Sequence, residues 1–156
     1  MKKLLLILLF VPFVSFGQSA SGYYVKGNDK LAIEDYEGAI EDYTKTIELD
    51  PDYTNAYYNR GNSKMRLKDY NGAIADYTKT IELNPDFAEA FYNRGIAKND
   101  LEDYYGAIGD YTKAIELDPN DAYHYDSRAS AKNNLKDYYG AIADYTKAIE
   151  LDPDNA

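Results

Sequence analysis

The chain holds one histidine, His124, set between Asp121 and Asp126 and preceded by DPND at 118–121. Imidazole beside carboxylate is the pairing that acid–base catalysis and metal coordination both use. Zinc, however, needs further nitrogen or sulfur ligands, and a hydrolytic triad needs a serine placed for the imidazole to deprotonate. Neither is in view. There is no cysteine, which also removes disulfides, thiolate nucleophiles and iron–sulfur ligation. DPND starts like a calcium loop but lacks the glycine and the closing glutamate such a loop requires. The glycines stand singly or in NGA, YGA and EGA triplets, never in a phosphate-cradling run. No catalytic residue, no metal and no cofactor is therefore expected. What remains is chemistry written several times over: carboxylates, basic residues and tyrosines that return at constant spacing, as a scaffold's residues do and a single reactive centre's do not.

The 156 residues are 45% hydrophobic and 28% charged, enough apolar content for one folded unit. A formal charge of −10 sets the chain against nucleic-acid phosphates and anionic membranes, so neither is an expected partner. Residues 1–17 read differently. Lys2 and Lys3 lead into LLLILLFVPFV at 4–14 and then Ser15, Phe16 and Gly17, the basic, apolar and small-residue regions of a secretory signal peptide. The apolar run falls short of the roughly 20 residues that span a bilayer, and Pro12 interrupts it. Cleavage before Gln18 is expected, with export to a bacterial periplasm or the cell exterior and no membrane attachment afterwards.

Pro51, Pro85, Pro119 and Pro153 are each 34 residues apart, and so are Tyr36, Tyr70, Tyr104 and Tyr138. The units run 20–53, 54–87, 88–121 and 122–155 and fill almost all of residues 18–156, which form one domain. Within the third unit Ala107, Ile108, Tyr111, Ala114 and Ile115 trace the stripe of a helix with one buried face. Residues 88–101 predict a preceding helix with Phe91 and Gly95 on its buried side, Asp103 and Tyr104 predict the turn between the two, and Pro119 stops the second helix. A helical pair this short cannot bury its own apolar face, so the units must stack.

On these residues the chain resembles the tetratricopeptide repeat family. The match includes an aromatic at unit position 4 (Tyr23, Tyr57, Phe91, Tyr125), a small residue at 8 (Gly27, Gly61, Gly95, Ala129), Tyr at 17, Ala at 20, an aromatic at 24 and Pro at 32. The resemblance implies an all-α solenoid of stacked antiparallel helix pairs wound into a right-handed superhelix. Its first helices, the A helices, would line a concave groove, with the second, B, helices outside.

Two departures stand out. Position 7, usually Leu in the family, is Lys26, Arg60, Arg94 and Arg128; position 11, usually Tyr, is Lys30, Lys64, Lys98 and Lys132. These form either a solvated basic ridge or a partly buried ladder in which Arg60, Arg94 and Arg128 meet the position-23 acids Asp76, Asp110 and Asp144. Helix B can contact helix A of its own unit or of the next, so which aspartate meets which arginine stays open. Such a ladder would fix register more than it would add net stability.

The resemblance also implies that Tyr24, Tyr58 and Tyr92 at position 5 and Asn59 and Asn93 at position 6 face the groove, there to stack on and hydrogen-bond an extended peptide; exposed polar filler is the competing reading. Family members that clamp a peptide's terminal carboxylate carry Lys and Arg at positions 5 and 9. Here those positions hold Tyr24 and Asn28, Tyr58 and Asn62, Tyr92 and Ile96, and Asp126 and Ser130, so an uncharged or basic segment fits better. The expected function is a non-enzymatic adaptor that binds a segment of another protein. The alternative is a self-assembling module that associates through the last repeat, whose Ile142, Tyr145 and Ile149 keep their scaffold identity without a polar cap.

Overall fold

The structure, a computed structural model, describes residues 19–153; the expected signal segment lies outside them. Eight helices follow one another with no strand among the described residues: α1 (Ala20–Ala32), α2 (Tyr36–Leu49), α3 (Thr54–Arg66), α4 (Tyr70–Leu83), α5 (Ala88–Asp100), α6 (Tyr104–Leu117), α7 (Ala122–Asn134) and α8 (Tyr138–Leu151). Each odd helix packs on the even helix that follows, and each even helix on the next odd one. α3 also touches α5, and α5 touches α7, so the odd helices crowd along the inner side of the stack.

Local chemistry sets the helix ends. Asp35, Asp69, Asp103 and Asp137 are N-caps, each accepting the backbone N–H of the glycine three residues on at 3.0 Å. This corrects the expected turn: Asp103 caps α6, but Tyr104 already lies inside the helix. A side chain at Gly72, for one, would collide with the Asp69 carboxylate. Upstream, each odd helix closes in a Schellman arrangement, as where Asp35 N–H reaches Lys30 O at 2.9 Å and Glu34 N–H reaches Leu31 O at 3.1 Å. The residue in the left-handed region there is Glu34, Lys68, Glu102 or Lys136, with φ of 61–64°. None is glycine, so each turn bears strain that the packed pair must hold.

The core is a column of small residues against tyrosines: Ala39, Ala73 and Ala107 are fully buried beside Tyr43, Tyr77 and Tyr111. An added Cβ at Gly61 would lie 2.8 Å from the Tyr77 ring, and one at Gly95 2.7 Å from Tyr111. These glycines are therefore what lets paired helices approach.

The two ends of the stack differ. Ser63, Ala97 and Ala131, at one shared position of α3, α5 and α7, are completely buried against the preceding unit, whereas α1 places an exposed Asp29 there. At the other end Ile142 is 62% and Ile149 50% exposed, although Ile108 and Ile115, their counterparts on α6, are half-buried.

Candidate functional site

Two side-chain networks run along the stack. In the first, Arg60 grips Asp76 of its own unit through Nε at 2.9 Å and a terminal nitrogen at 2.7 Å, and its other terminal nitrogen donates to Thr44 of the preceding unit at 3.0 Å. Arg94 repeats this with Asp110 and Thr78, and Arg128 with Asp144 and Thr112. Lys64, Lys98 and Lys132 approach the same aspartates at 2.7, 2.8 and 2.7 Å. Each arginine also lies over the ring three residues before it, as Arg94 does over Phe91 at 5.5 Å. One guanidinium thus joins three helices, and its planar fork matches a carboxylate as a lysine cannot. The first unit makes the contrast: Lys26 rests on Tyr23, and Asp42 is left to Lys30 at 2.8 Å. Burial works against a charged Asp144, but the hydrogen bonds and charges of Arg128 and Lys132 outweigh it and hold its pKa below the ordinary carboxylate value.

The second network lines the inner side. Tyr58 is held between Tyr77 of its own unit, ring centroids 6.0 Å apart, and Phe87 at 4.7 Å. Tyr24 is held likewise between Tyr43 and Tyr53. Asn93 reaches back across the unit boundary and spends both amide hydrogens there, one on the Tyr58 hydroxyl at 3.0 Å and one on Asn62 Oδ1 at 3.2 Å. The same Asn62 oxygen accepts from Tyr77 at 2.8 Å. One unit earlier Asn59, Tyr24, Asn28 and Tyr43 make the same four-membered web. Burial pushes the Tyr43 phenol up to about 12, with Tyr24 adding to the effect.

The expected groove residues are therefore together on the inner wall, but with a changed division of labour. The tyrosine rings are half-buried between neighbours, so little of each is left for stacking on a ligand. The amide hydrogens of Asn59 and Asn93 are spent as well, while their carbonyl oxygens accept no hydrogen bond among the described residues; in Asn28 and Asn62 it is the carbonyl oxygen that is spent. What Asn59 and Asn93 offer the groove is acceptors.

The third junction breaks the pattern. Asp121 stands where Tyr53 and Phe87 stood, and His124, 3% exposed, fills the vacancy by stacking on Tyr92 at 4.9 Å. Its Nδ1 lies 3.3 Å from Asp118 O. Ser127 replaces the asparagine and meets the Tyr92 hydroxyl at 3.1 Å, and Ile96 replaces the accepting amide. The lone histidine is thus a packing piece, a role that its sequence neighbours did not reveal; the signal was the missing aromatic three residues earlier.

Between α1, α3 and α5 the inner wall opens into a cleft of about 630 Å³ with Leu31, Met65 and Ile96 among its apolar lining and Asn62, Asn93 and Arg66 among its polar one. Arg66 forms no ion pair among the described residues. Further along, Glu89 acts on the Tyr58 phenol and Asp126, with Asp121, on that of Tyr92, in each case adding to an upward shift caused first by burial. Asp100 does the same at Tyr70 and Tyr111. No cluster of three or more potential metal ligands occurs among the described residues.

Sequence models described as "Tetratricopeptide repeat" match residues 54–87, 88–121 and 125–155, and one described as "TPR repeat" matches 27–68. No curated protein sequence matches the chain. Among solved structures, a crystal structure of MamA superposes with a TM-score of 0.86 at 25% identity, over 88% of this chain and 81% of that one. MamA 41-end from Desulfovibrio magneticus RS-1 gives 0.83 at 24% identity, over 87% and 77%. The first TPR of Spaghetti (RPAP3) bound to the HSP90 peptide SRMEEVD gives 0.66 at 31% identity, over 81% and 95%. With the helix pairs, the 34-residue period and these matches in agreement, the chain belongs to the tetratricopeptide repeat family.

Proposed function

We propose that the protein is a non-enzymatic interaction scaffold whose inner groove binds an extended segment of a partner protein. The observation that carries this is the pair of unspent carbonyl oxygens on Asn59 and Asn93, each pinned in orientation by a web that spans two units, beside a cleft of about 630 Å³ with both apolar and polar lining. Fixed acceptors along a wall suit backbone N–H groups, and a cleft of that size falls in the range of ligand sites. The solved neighbour that holds an HSP90 peptide supports peptide binding as a use of this architecture. That peptide closes on EEVD; the lysine and arginine that clamping members of the family carry at positions 5 and 9 are replaced here by Tyr24 and Asn28, Tyr58 and Asn62, Tyr92 and Ile96, and Asp126 and Ser130, so carboxylate recognition is not carried over. Export through a cleaved leader, to the periplasm or beyond, belongs to the same proposal.

The test is selection of nine-residue peptides from a random display library, followed by 1H–15N NMR of the labelled protein with a selected peptide. Shifts concentrated on the side-chain amides of Asn59, Asn62 and Asn93 are expected. Shifts confined to the outer faces of α2, α4 and α6, or no peptide at all, would overturn the reading.

The exposed Ile142 and Ile149 favour a second reading, self-association through α8. Asp29 disfavours the simplest form of it, since α1 of another copy would bury that carboxylate where every inner junction has Ser63, Ala97 or Ala131. Light scattering across a concentration series, with Ile142→Lys as the control, tests this.

A further inference from the structure

Building on the groove reading, we infer the chemistry of the segment: it is basic, with one apolar anchor. The anchor enters the cleft between α1, α3 and α5, and lysine or arginine side chains lie over α5 and α7 toward Glu89, Asp100 and Asp126.

Three independent observations lead there. The amide hydrogens of Asn59 and Asn93 are consumed by Tyr24, Asn28, Tyr58 and Asn62, so what these two residues hold out to the groove is acceptors, to be met by donors. Lysine, arginine and backbone N–H are the donor-rich groups of a polypeptide; carboxylates have none to give. Next, the charge along the wall is unbalanced. Arg66 lies at the cleft, close enough to act on the Tyr77 phenol, but Glu34 lines the same cleft, and further along Glu89, Asp100 and Asp126 have no ion pair among the described residues. A basic side chain over α5 and α7 therefore meets carboxylates that no cation among the described residues neutralises. The net charge of −10 adds a long-range pull on cationic partners. Lastly, the cleft itself carries Leu31, Met65 and Ile96, and methionine's flexible thioether adapts to an apolar side chain of varied shape.

The geometry also spaces the segment. Neighbouring helices pack about 10 Å apart, and an extended chain advances about 3.3 Å per residue. The anchor and the first basic residue should therefore be about three residues apart, with a second basic residue about three further on.

The experiment is fluorescence anisotropy with fluorescein-labelled nine-residue Gly/Ser peptides carrying one leucine and two lysines at intervals of three, in both chain directions. Control peptides have the lysines changed to glutamate or the leucine to serine. One direction should bind at least tenfold more tightly than its glutamate version and about fivefold more tightly than its serine version. The advantage over glutamate should shrink as salt rises from 50 to 500 mM, and Glu89→Gln with Asp100→Asn and Asp126→Asn, all at exposed positions, should weaken binding about tenfold. Glutamate peptides that bind equally well or better, or a triple variant that binds as the wild type does, would overturn the inference. The groove reading is judged separately. Library-selected peptides that shift the groove amides yet are acidic or lack an apolar residue would leave it standing while this inference fails; if no peptide shifts them, both fail.

Discussion

Replacing Arg94 with alanine should destabilise the protein by about 2–3 kcal/mol. The substitution removes two short charged bonds to Asp110, one to Thr78 of the preceding unit and the contact over Phe91. Breaking one side of a buried ion pair typically costs about 3–5 kcal/mol because a charge is left behind. Here the charge is not abandoned: Asp110, only 5% exposed, keeps Lys98 at 2.8 Å, which brings the figure down. Urea unfolding followed by circular dichroism, for Arg94→Ala, Asp110→Ala and the double variant, should give a coupling of about 1.5–2 kcal/mol. Arg94 with Asp76 should add within about 0.5 kcal/mol, since those two are not partners. The first unit supplies an internal control, because Lys26 occupies the same position without an aspartate and Lys26→Ala should cost under about 0.5 kcal/mol. An Arg94→Ala loss no larger than that of Lys26→Ala, or strictly additive losses in the Arg94–Asp110 cycle, would refute the argument.

Gly109 lies mid-helix in α6, and a methyl group placed on its Cα would meet no atom within 4 Å, so Gly109→Ala should stabilise by about 0.5–1 kcal/mol, whereas Gly95→Ala, facing the Tyr111 ring, should destabilise by about 1–3 kcal/mol; thermal melts of the two variants decide it. Because the Asp144 pKa is depressed in the folded state, its contribution is present above the unfolded value of 3.8 and is lost as pH falls through the lower folded value. The difference in urea midpoint between wild type and Asp144→Asn should accordingly shrink as pH drops from about 5 to about 2. His124→Phe should cost under about 1 kcal/mol, since Phe87 occupies the equivalent seat one unit earlier, and His124→Ala about 2–3 kcal/mol from the cavity left beside Tyr92.

The helix pairs and the stacking were legible because a 34-residue period and a 3.6-residue stripe are local patterns that packing then enforces. The partner of Arg94 was not: Asp76 and Asp110 are chemically identical acids on two helices that flank α5, and only the packed backbone decides which carboxylate the guanidinium reaches. The asparagines' hydrogen bonds were not legible either, since their donors were assigned to a ligand. Their true recipients lie 31 and 35 residues away, across a boundary where no sequence pattern marks a hydrogen bond. Tyr58 and Tyr92 misled for a related reason, since an aromatic that lines a groove can also be flanked by neighbours that cover its faces. Alanine at either would break the wall itself, which makes the unspent carbonyls of Asn59 and Asn93 the cleaner place to probe binding.

Every bond in the two networks joins residues of one unit or of adjacent units, at fixed separations such as 15, 16, 31 and 35 residues. Cutting out residues 54–87 would therefore leave Asn93 facing Asn28 and Tyr24, and Arg94 facing Thr44, each finding the partner its predecessor had. Adding a copy of the same stretch would do the reverse. At the level of the gene, loss or duplication of that second unit alters the length of the groove by about one helix spacing, roughly 10 Å, and leaves Asn93 and Arg94 with their counterparts, which the third junction, with His124 and Ser127, would not. Reach can then evolve in whole steps, by duplication or loss, independently of the point substitutions at Glu89, Asp100 and Asp126 that would alter what the groove selects.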